Sequence, residues 1–441
     1  YEPDATPCHG RPRPFRRGNG PVIARDLGNG TRLLVLPSAK WKTVSVRVHL
    51  QADLDAGRTC RSLLAAVLLR GTRRFPDMTA LQRRLDSLYG AALGAGTHKI
   101  ADVQLTVFTL NGADPRFLAD TPDLPVQAAA LLAEVVRDPA RAGRLLVPAY
   151  VATEKENLRR LLRSQKDSKA EYAALRLAEI MFVGEPYGRN ELGAAEDLDG
   201  IDAERLSAHY EDWIRTAPLD VLVAGQVDVE AVAAACAAFA RGRAGGPPRA
   251  ALPPRPESGA VRTVCEEDDV RQARLAMGFR HGAVIGGAGH AAAEVTSGML
   301  GGFPHSKLFR RVREKESMAY SVGSAYDAGT GVLTVSAGIA PGACERTAAM
   351  VREAVDELAR GAFDASDVRA SQAGIIRRAR GAGDLPASRL VQRYVWSLFG
   401  ASYAEEEWVR SISSVTGADV AAAAGRLRLD TVYCLRGKER G

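Results

Sequence analysis

The sequence predicts an α+β protein of two homologous α/β domains, each a mostly antiparallel sheet with helices packed on one face. Three observations lead there. The chain has 441 residues, more than one core serves, since single cores stop growing at roughly 250–300 residues. A stretch beginning Arg241-Gly-Arg-Ala-Gly-Gly-Pro-Pro and running to Pro256 divides it, and its prolines and glycines oppose both regular structures. On either side the same order recurs: helix, Tyr, strand, strand, helix. The expected organisation is a flexible tail over 1–20, a first domain over 21–240, an exposed linker over 241–259 and a second domain over 260–441.

Taken in order, residues 1–20 are rich in Pro, Arg and Gly and bury nothing. Alternating apolar residues over 31–36 and 44–50 read as strands on either side of a turn at 37–42. A helix is expected from Gly57 to Leu69. A second, opened by Met78-Thr79, carries Leu81, Leu85 and Leu88 on one face. Strands follow over 92–99 and 103–110, then a helix over 126–136. Helical periodicity dominates from Tyr150 to Met181, a further helix covers 202–213, and 221–224 reads as a short buried strand. Beyond the linker come a strand over 274–279, helices over 291–300 and 306–315, strands over 321–327 and 332–339, and a helix over 343–360. The helix ending near Met318-Ala319-Tyr320 mirrors the one ending at Leu88-Tyr89.

Composition narrows the function classes. Hydrophobic residues make up 46% and charged residues 25%, ordinary for a globular protein. Lys and Arg number 59 against 52 Asp and Glu, a net charge of +7. The excess is spread among acidic residues, with no basic stripe interleaved with aromatics, so a nucleic-acid partner is not expected. Cys8, Cys60, Cys236, Cys265, Cys344 and Cys434 stand singly, the pattern expected of reduced thiols and not of a zinc ribbon or disulfide framework. No apolar run approaches the ~18 residues of a membrane span, and the expected location is cytoplasmic, with no membrane partner. His98, beside Lys99, and the trio His281, His290 and His305 share no helix face at a ligating spacing, so they read as scattered surface histidines and no metal is assigned.

Three segments together resemble the insulinase, pitrilysin and mitochondrial processing peptidase family, over about residues 22–435. The first is the helix ending Leu68-Leu69-Arg70-Gly71-Thr72. In active members a His-x-x-Glu-His sequence precedes the equivalent Gly-Thr, its two histidines one turn apart binding zinc and its Glu polarising the attacking water. Aligning Gly71-Thr72 places Ser62, Ala65 and Ala66 at those three positions. Alanine offers no ligand atom, serine is a poor zinc ligand, and without a general base a bound water is not activated. The family's third ligand, a Glu on a later helix, corresponds to Leu161, with Glu154 at the preceding Glu position. From the residues alone Glu154 and Glu156 read as a solvated face paired with Lys155 and Arg159.

The second segment runs Glu185-Pro186-Tyr187-Gly188-Arg189-Asn190-Glu191-Leu192-Gly193, then Glu196-Asp197-Leu198, Tyr210, Trp213 and Val223-Ala224-Gly225. It is similar to the family's Pro-Tyr-Gly run and, as physics, is a turn, a helix start and a strand end. The third, Gly301 to Val322, carries Leu308-Phe309-Arg310-Arg311-Val312-Arg313-Glu314-Lys315 and is similar to the signature of the family's C-terminal domain. There an Arg and a Tyr seven residues apart reach a substrate held at the zinc of the opposite domain. Arg313 and Tyr320 match that pair. A guanidinium and a phenol can hydrogen-bond a peptide carbonyl and the oxyanion forming on it. The alternative is an Arg313 paired with Glu314 or Glu316 and a Tyr320 packed in the core.

The resemblance is nearest to a bacterial branch of two-domain chains that work as heterodimers, one subunit keeping the zinc motif and the other the Arg/Tyr pair. It implies a non-catalytic, substrate-binding or regulatory subunit forming half of a clamshell chamber, with no cofactor of its own. Its partner would be a homologous chain carrying His-x-x-Glu-His and the zinc, and its substrate a peptide. The competing expectations are a structural or peptide-binding scaffold without a role in proteolysis, and a self-sufficient peptidase.

Overall fold

The computed structural model describes residues 22–118, 123–249, 259–315, 319–382 and 384–438. The expected tail over 1–20, with Cys8, and much of the expected linker lie outside them. In the first unit β1 (Ile23–Gly28), β2 (Thr31–Pro37) and β3 (Thr43–Asp53) precede α1 (Arg58–Val67) and α2 (Met78–Ser87). Then come β4 (Ala92–Ile100), β5 (Val103–Ala113), α3 (Leu124–Arg137) and a two-residue hairpin, β6 (Arg141–Ala142) with β7 (Leu145–Leu146). The expected helical stretch over 150–181 is two helices, α4 (Pro148–Ser164) and α5 (Lys169–Met181), separated by a polar break. The unit closes with α6 (Ala203–Thr216), β8 (Leu219–Gly225) and α7 (Val229–Ala240). Asp77, Asp202 and Asp228 each accept backbone N–H groups at the starts of α2, α6 and α7, which fixes where those helices begin.

The second unit contains β9 (Arg262–Asp268), β10 (Ala273–Arg280), α8 (His290–Ser297), β11 (Ala319–Asp327), β12 (Val332–Ile339) and α9 (Cys344–Ala359). After these come α10 (Ala365–Ala382), α11 (Pro386–Leu398), α12 (Glu405–Ser413), α13 (Gly417–Arg426) and β13 (Arg428–Gly437). Residues 298–302 and 309–315 are π-helical turns, so the helix expected over 306–315 is present but underwound, with i→i+5 closure in place of i→i+4.

The two sheets have one topology. Their orders are β1-β2-β8-β3-β5-β4 and β11-β12-β10-β13-β9. Read from the opposite end, β4, β5, β3, β8 and β2 correspond one by one to β11, β12, β10, β13 and β9. In both, the pair made late in the chain is parallel, β2 with β8 and β9 with β13, and the other pairs are antiparallel. One face of each sheet carries its own unit's core. Val46, Val48 and Leu50 meet Leu63, Leu64 and Leu132 in the first, and Leu275, Met277 and Val335 meet Val351 and Leu358 in the second.

The opposite face of each sheet is covered in part by a helix lent by the other unit. From α11, Leu390, Tyr394 and Leu398 pack on Leu36, Trp41, Leu105, Val107 and Leu222 of the first sheet. From α5, Ala173 and Leu177 pack on Ala276, Tyr433 and Leu435 of the second. The units are thus clasped reciprocally. At the described start of the expected linker Arg241, Gly242, Ala244, Gly246 and Pro247 are exposed, and Arg243 anchors the segment: it is 5% exposed and donates to the carbonyls of Ile214 and Ala217.

The cysteines correct one expectation. Cys344, at the start of α9, is disulfide-bonded to Cys434 in β13 across a sequence separation of 90. Cys60 and Cys236 are buried thiols and Cys265 an exposed one. Sequence spacing cannot reveal a bridge between the first turn of a helix and a strand 90 residues further on. Among the described residues no helix is long and apolar enough to cross a membrane.

Candidate functional site

At the positions where the resemblance leads one to expect a zinc motif, α1 presents a closed surface. Ser62 is 7% exposed; its hydroxyl donates to the Glu191 carbonyl at 3.1 Å. Gln104 of β5 donates to the same carbonyl at 2.7 Å and to the Arg58 carbonyl at 3.0 Å. These bonds tie α1 to the 185–193 segment, so Ser62 serves the scaffold. Ala65 is buried and Ala66 half-buried, and Leu161 projects outward at 49% exposure. Among the described residues no three His, Cys, Asp or Glu side chains are placed to hold a metal ion. The side chains at the motif positions supply at most one weak oxygen ligand, which does not fit zinc.

Glu154 departs from the solvated reading. It is 8% exposed, accepts from Asn157 at 3.0 Å and pairs with Arg70 at 3.4 Å, joining α4 to the end of α1. Glu156 does pair on the surface with Arg159, at 2.8 Å.

The Gly-Thr that follows α1 has a reason independent of metal. A Cβ on Gly71 would lie 2.6 Å from the Pro76 carbonyl oxygen. Thr72, fully buried, accepts at its hydroxyl from the Phe75 N–H and donates its own N–H to the Phe75 carbonyl. Similarly, Gly193 has φ +99°, and a Cβ there would fall 2.0 Å from the Thr59 hydroxyl, which donates to Asp197 at 2.6 Å. Both family signatures persist here as packing requirements.

The 185–191 segment does more than turn the chain. Tyr187 donates to Asp327 at 2.7 Å. Arg280 donates to Glu185 at 3.0 Å and to Asp430 at 2.7 Å. Lys99 donates to the carbonyls of Tyr187 and Arg189 at 3.0 and 3.1 Å, and burial pulls its ammonium below the usual value against the raising pull of Glu191. The segment therefore bonds the first sheet to the ends of β10 and β11.

In the C-terminal signature, Leu308 and Val312 are fully buried, and Lys307 and Arg311 donate to Glu357 of α9 at 2.8 and 3.0 Å. Arg313 lies on the same π-helical turn; its side chain and those of Glu314 and Glu316 lie outside the described residues. Tyr320 is described and is not in the core: it is 73% exposed. The register between β11 and β12 shifts between Ala319 and Ser321, leaving Tyr320 as the extra residue of a β-bulge. Bulges re-aim a side chain out of the sheet's alternation. Because β11 is the outermost strand, that side chain stands at a free edge.

Of the four histidines, His98 is exposed and His281 and His305 are half-buried, but His290 is 5% exposed. It packs at 4.7 Å on the ring of Trp408 and 5.5 Å from that of Trp396. Burial holds it neutral, down to about 4. It is an aromatic core residue, which neighbours on two later helices, α11 and α12, do not announce in the sequence.

Comparison with known proteins agrees with this geometry. The family profile described as "Peptidase M16 inactive domain" matches residues 200–375. The chain is 31% identical to the probable inactive metalloprotease YmfF of Bacillus subtilis, over 92% of this chain and 95% of that protein. The crystal structure of a conserved protein from Enterococcus faecalis superposes with a TM-score of 0.88 at 26% identity, covering 95% and 99% of the two chains. That of a peptidase M16 inactive domain from Pseudomonas fluorescens superposes at 0.77 and 18%, covering 95% and 98%. With 31% identity to an inactive metalloprotease over almost the whole of both chains, inside the same fold, the chain belongs to the M16 metallopeptidase family, as an inactive homologue.

Proposed function

We propose that this chain is the non-catalytic, substrate-binding subunit of a heterodimeric zinc peptidase. One observation carries the reading: the metal positions are occupied by scaffold residues, yet Tyr320 is displayed on a bulge at an open sheet edge. A core tyrosine lost from function has no reason to stay there, since exposing a large aromatic ring forfeits burial. In this reading two such chains face each other as halves of a clamshell. The partner carries His-x-x-Glu-His and the zinc, and Tyr320 with Arg313 hydrogen-bonds the peptide carbonyl under attack. The peptide is held extended, along a sheet edge that offers unpaired backbone groups.

The test is peptide turnover and zinc content of this chain alone, of a zinc-motif partner alone and of both mixed. Turnover is expected only in the mixture. Tyr320→Phe and Arg313→Ala should each lower kcat about 10²-fold, the scale of losing one oxyanion donor. Unchanged kcat in both variants would leave only a scaffold role, and zinc-dependent cleavage by this chain alone would refute the reading.

A further inference from the structure

Beside Tyr320 lies a groove that the two cores do not fill. The helix α5 covers β9, β13 and β10 on its side of the second sheet, leaving the same face of β12 and β11 open. The result is a cavity of about 440 Å³. Ala173 and Leu177 line one wall; Ser321, Gly323, Thr334 and Ser336 form the floor. The floor residues are small or polar because this face alternates with the apolar one that carries Val335 and Ala337 into the core.

At one end of the groove three donors converge with nothing to bind. Arg274, Gly338 and Ser321 stand abreast on β10, β12 and β11. A Cβ placed on Gly338 would lie 2.5 Å from Arg274 Nη1, 2.9 Å from Ser321 Oγ and 3.0 Å from Gln272 Nε2. The missing side chain at Gly338 lets the Arg274 guanidinium lie across β12 toward the free edge. Among the described residues these three side chains have no hydrogen-bond or ion-pair partner, and Arg274 Nε is buried without an acceptor. A half-buried guanidinium lacking a carboxylate is costly to keep. Its natural complement is an anion with oxygens for several donors at once.

We infer that Gln272, Arg274 and Ser321 form a specificity subsite for an acidic side chain of an extended peptide lying along β11. This rests on the reading of the chain as the peptide-binding subunit and adds which peptides it prefers. A strand added beside β11 places alternate side chains on the α5 face. The small floor admits short side chains, and one of them, Asp or Glu, reaches the donors over Gly338. Tyr320 is the residue next to Ser321, so the subsite stands close to the bond presented to the partner.

The experiment is peptide binding to the intact chain, followed by fluorescence anisotropy. The probes are acetylated, amidated Ala/Ser peptides carrying a single Glu, Gln or Lys, together with an all-Ala/Ser peptide having a free C-terminus. The Glu peptide is expected to bind about tenfold more tightly than its Gln twin. Arg274→Met should abolish that difference by lowering the Glu peptide's affinity to about that of its Gln twin, and Arg274→Glu should shift the preference to Lys. Gly338→Ala, which fills the convergence point at a position without positive φ, should abolish it as well. Equal binding of Glu and Gln peptides, or equal loss of both in Arg274→Met, would overturn the subsite and leave the peptide-binding function standing. Preference for the free C-terminus alone would overturn the side-chain assignment, and no binding by any probe would overturn both. Persistent Glu preference with a silent Tyr320→Phe would instead refute only the catalytic role of this subunit.

Discussion

Tyr187 of the first unit donates its phenol hydrogen to Asp327, the last residue of β11, at 2.7 Å. This bond joins the segment that braces α1 to the strand that begins beside Tyr320. Beneath the Tyr187 ring the Lys99 ammonium lies 4.5 Å from the centroid, and Phe182 packs edge-on at 4.7 Å. The position of the β11 edge is thus set partly by the first unit. Tyr187→Phe removes one hydrogen bond to a charged group, and a loss of about 1.5–3 kcal/mol is expected, read from the urea midpoint at constant m. An unchanged midpoint would mean the seam is held elsewhere.

The reciprocal clasp makes the two units one cooperative body. Leu390 on α11 and Leu177 on α5 are 2% and 3% exposed, each buried on the other unit's sheet. Leu390→Ala and Leu177→Ala should each cost about 2–5 kcal/mol. Calorimetry should show a single transition that moves as a whole in either variant. Two resolved transitions, only one of them shifted, would contradict the clasp.

No stability is expected to depend on zinc, because Ser62, Ala65, Ala66 and Leu161 supply no ligand set. The melting temperature with excess zinc should match that with a strong chelator, and metal analysis of the purified chain should find far less than one equivalent. A chelator-induced fall in melting temperature would reveal a structural site elsewhere.

Acid should weaken the clasp through His49. This side chain is 1% exposed, neither ring nitrogen has a hydrogen-bond partner among the described residues, and its ring meets Tyr394 of α11 edge-on at 4.7 Å. Burial first, then the charges of Arg47 and His98, depress it from 6.5 to about 3. Folding therefore favours the neutral ring. Above pH 6.5 both states are neutral and nothing is lost; as pH falls from 6.5 toward 3 the unfolded chain binds the proton first and stability declines. The decline should be on the order of a few kcal/mol by pH 4, and His49→Leu should flatten that limb of the stability profile. An equally steep limb in the variant would place the titration on other groups.

Reduction should soften the second unit. The Cys344–Cys434 bridge closes a loop of about 90 residues, and a bridge of that span contributes about 2–4 kcal/mol. Thermal melts with and without reductant should differ by several degrees, and Cys344→Ser should melt like the reduced protein and be indifferent to reductant. Identical melts in all conditions would mean the bridge contributes nothing to stability.

Local pattern carried much of the fold. The strands over 31–37 and 43–53, the hairpin over 92–113 and α2 were legible because apolar residues recur at period two or 3.6 beside a clear turn or cap. α7 was missed: Val229 to Ala240 is nearly all alanine and valine, so it has no polar face to reveal a period. β9 was missed because Glu266, Glu267 and Asp268 give its edge position a charged surface. No element was read after Arg360, so α10 to α13 and β13 were all missed, and one of them, α11, covers the other unit's sheet. The family resemblance, through Gly71-Thr72, is what sets Ser62, Ala65 and Ala66 against the zinc motif; residue type adds only that these side chains make no zinc ligand set. The same line of reasoning misjudged Glu154, whose partner Arg70 is 84 residues away in sequence.

By itself the sequence determined the duplicated α/β design, because periodicity is a property of residue type and spacing. Only the tertiary structure decided the exchange of α5 and α11, the disulfide, the burial of Glu154 and His290, the bulge that displays Tyr320 and the three unpaired donors over Gly338. Each of these depends on which distant segments meet, and long-range contacts are set by the packing of whole faces, which no local pattern encodes.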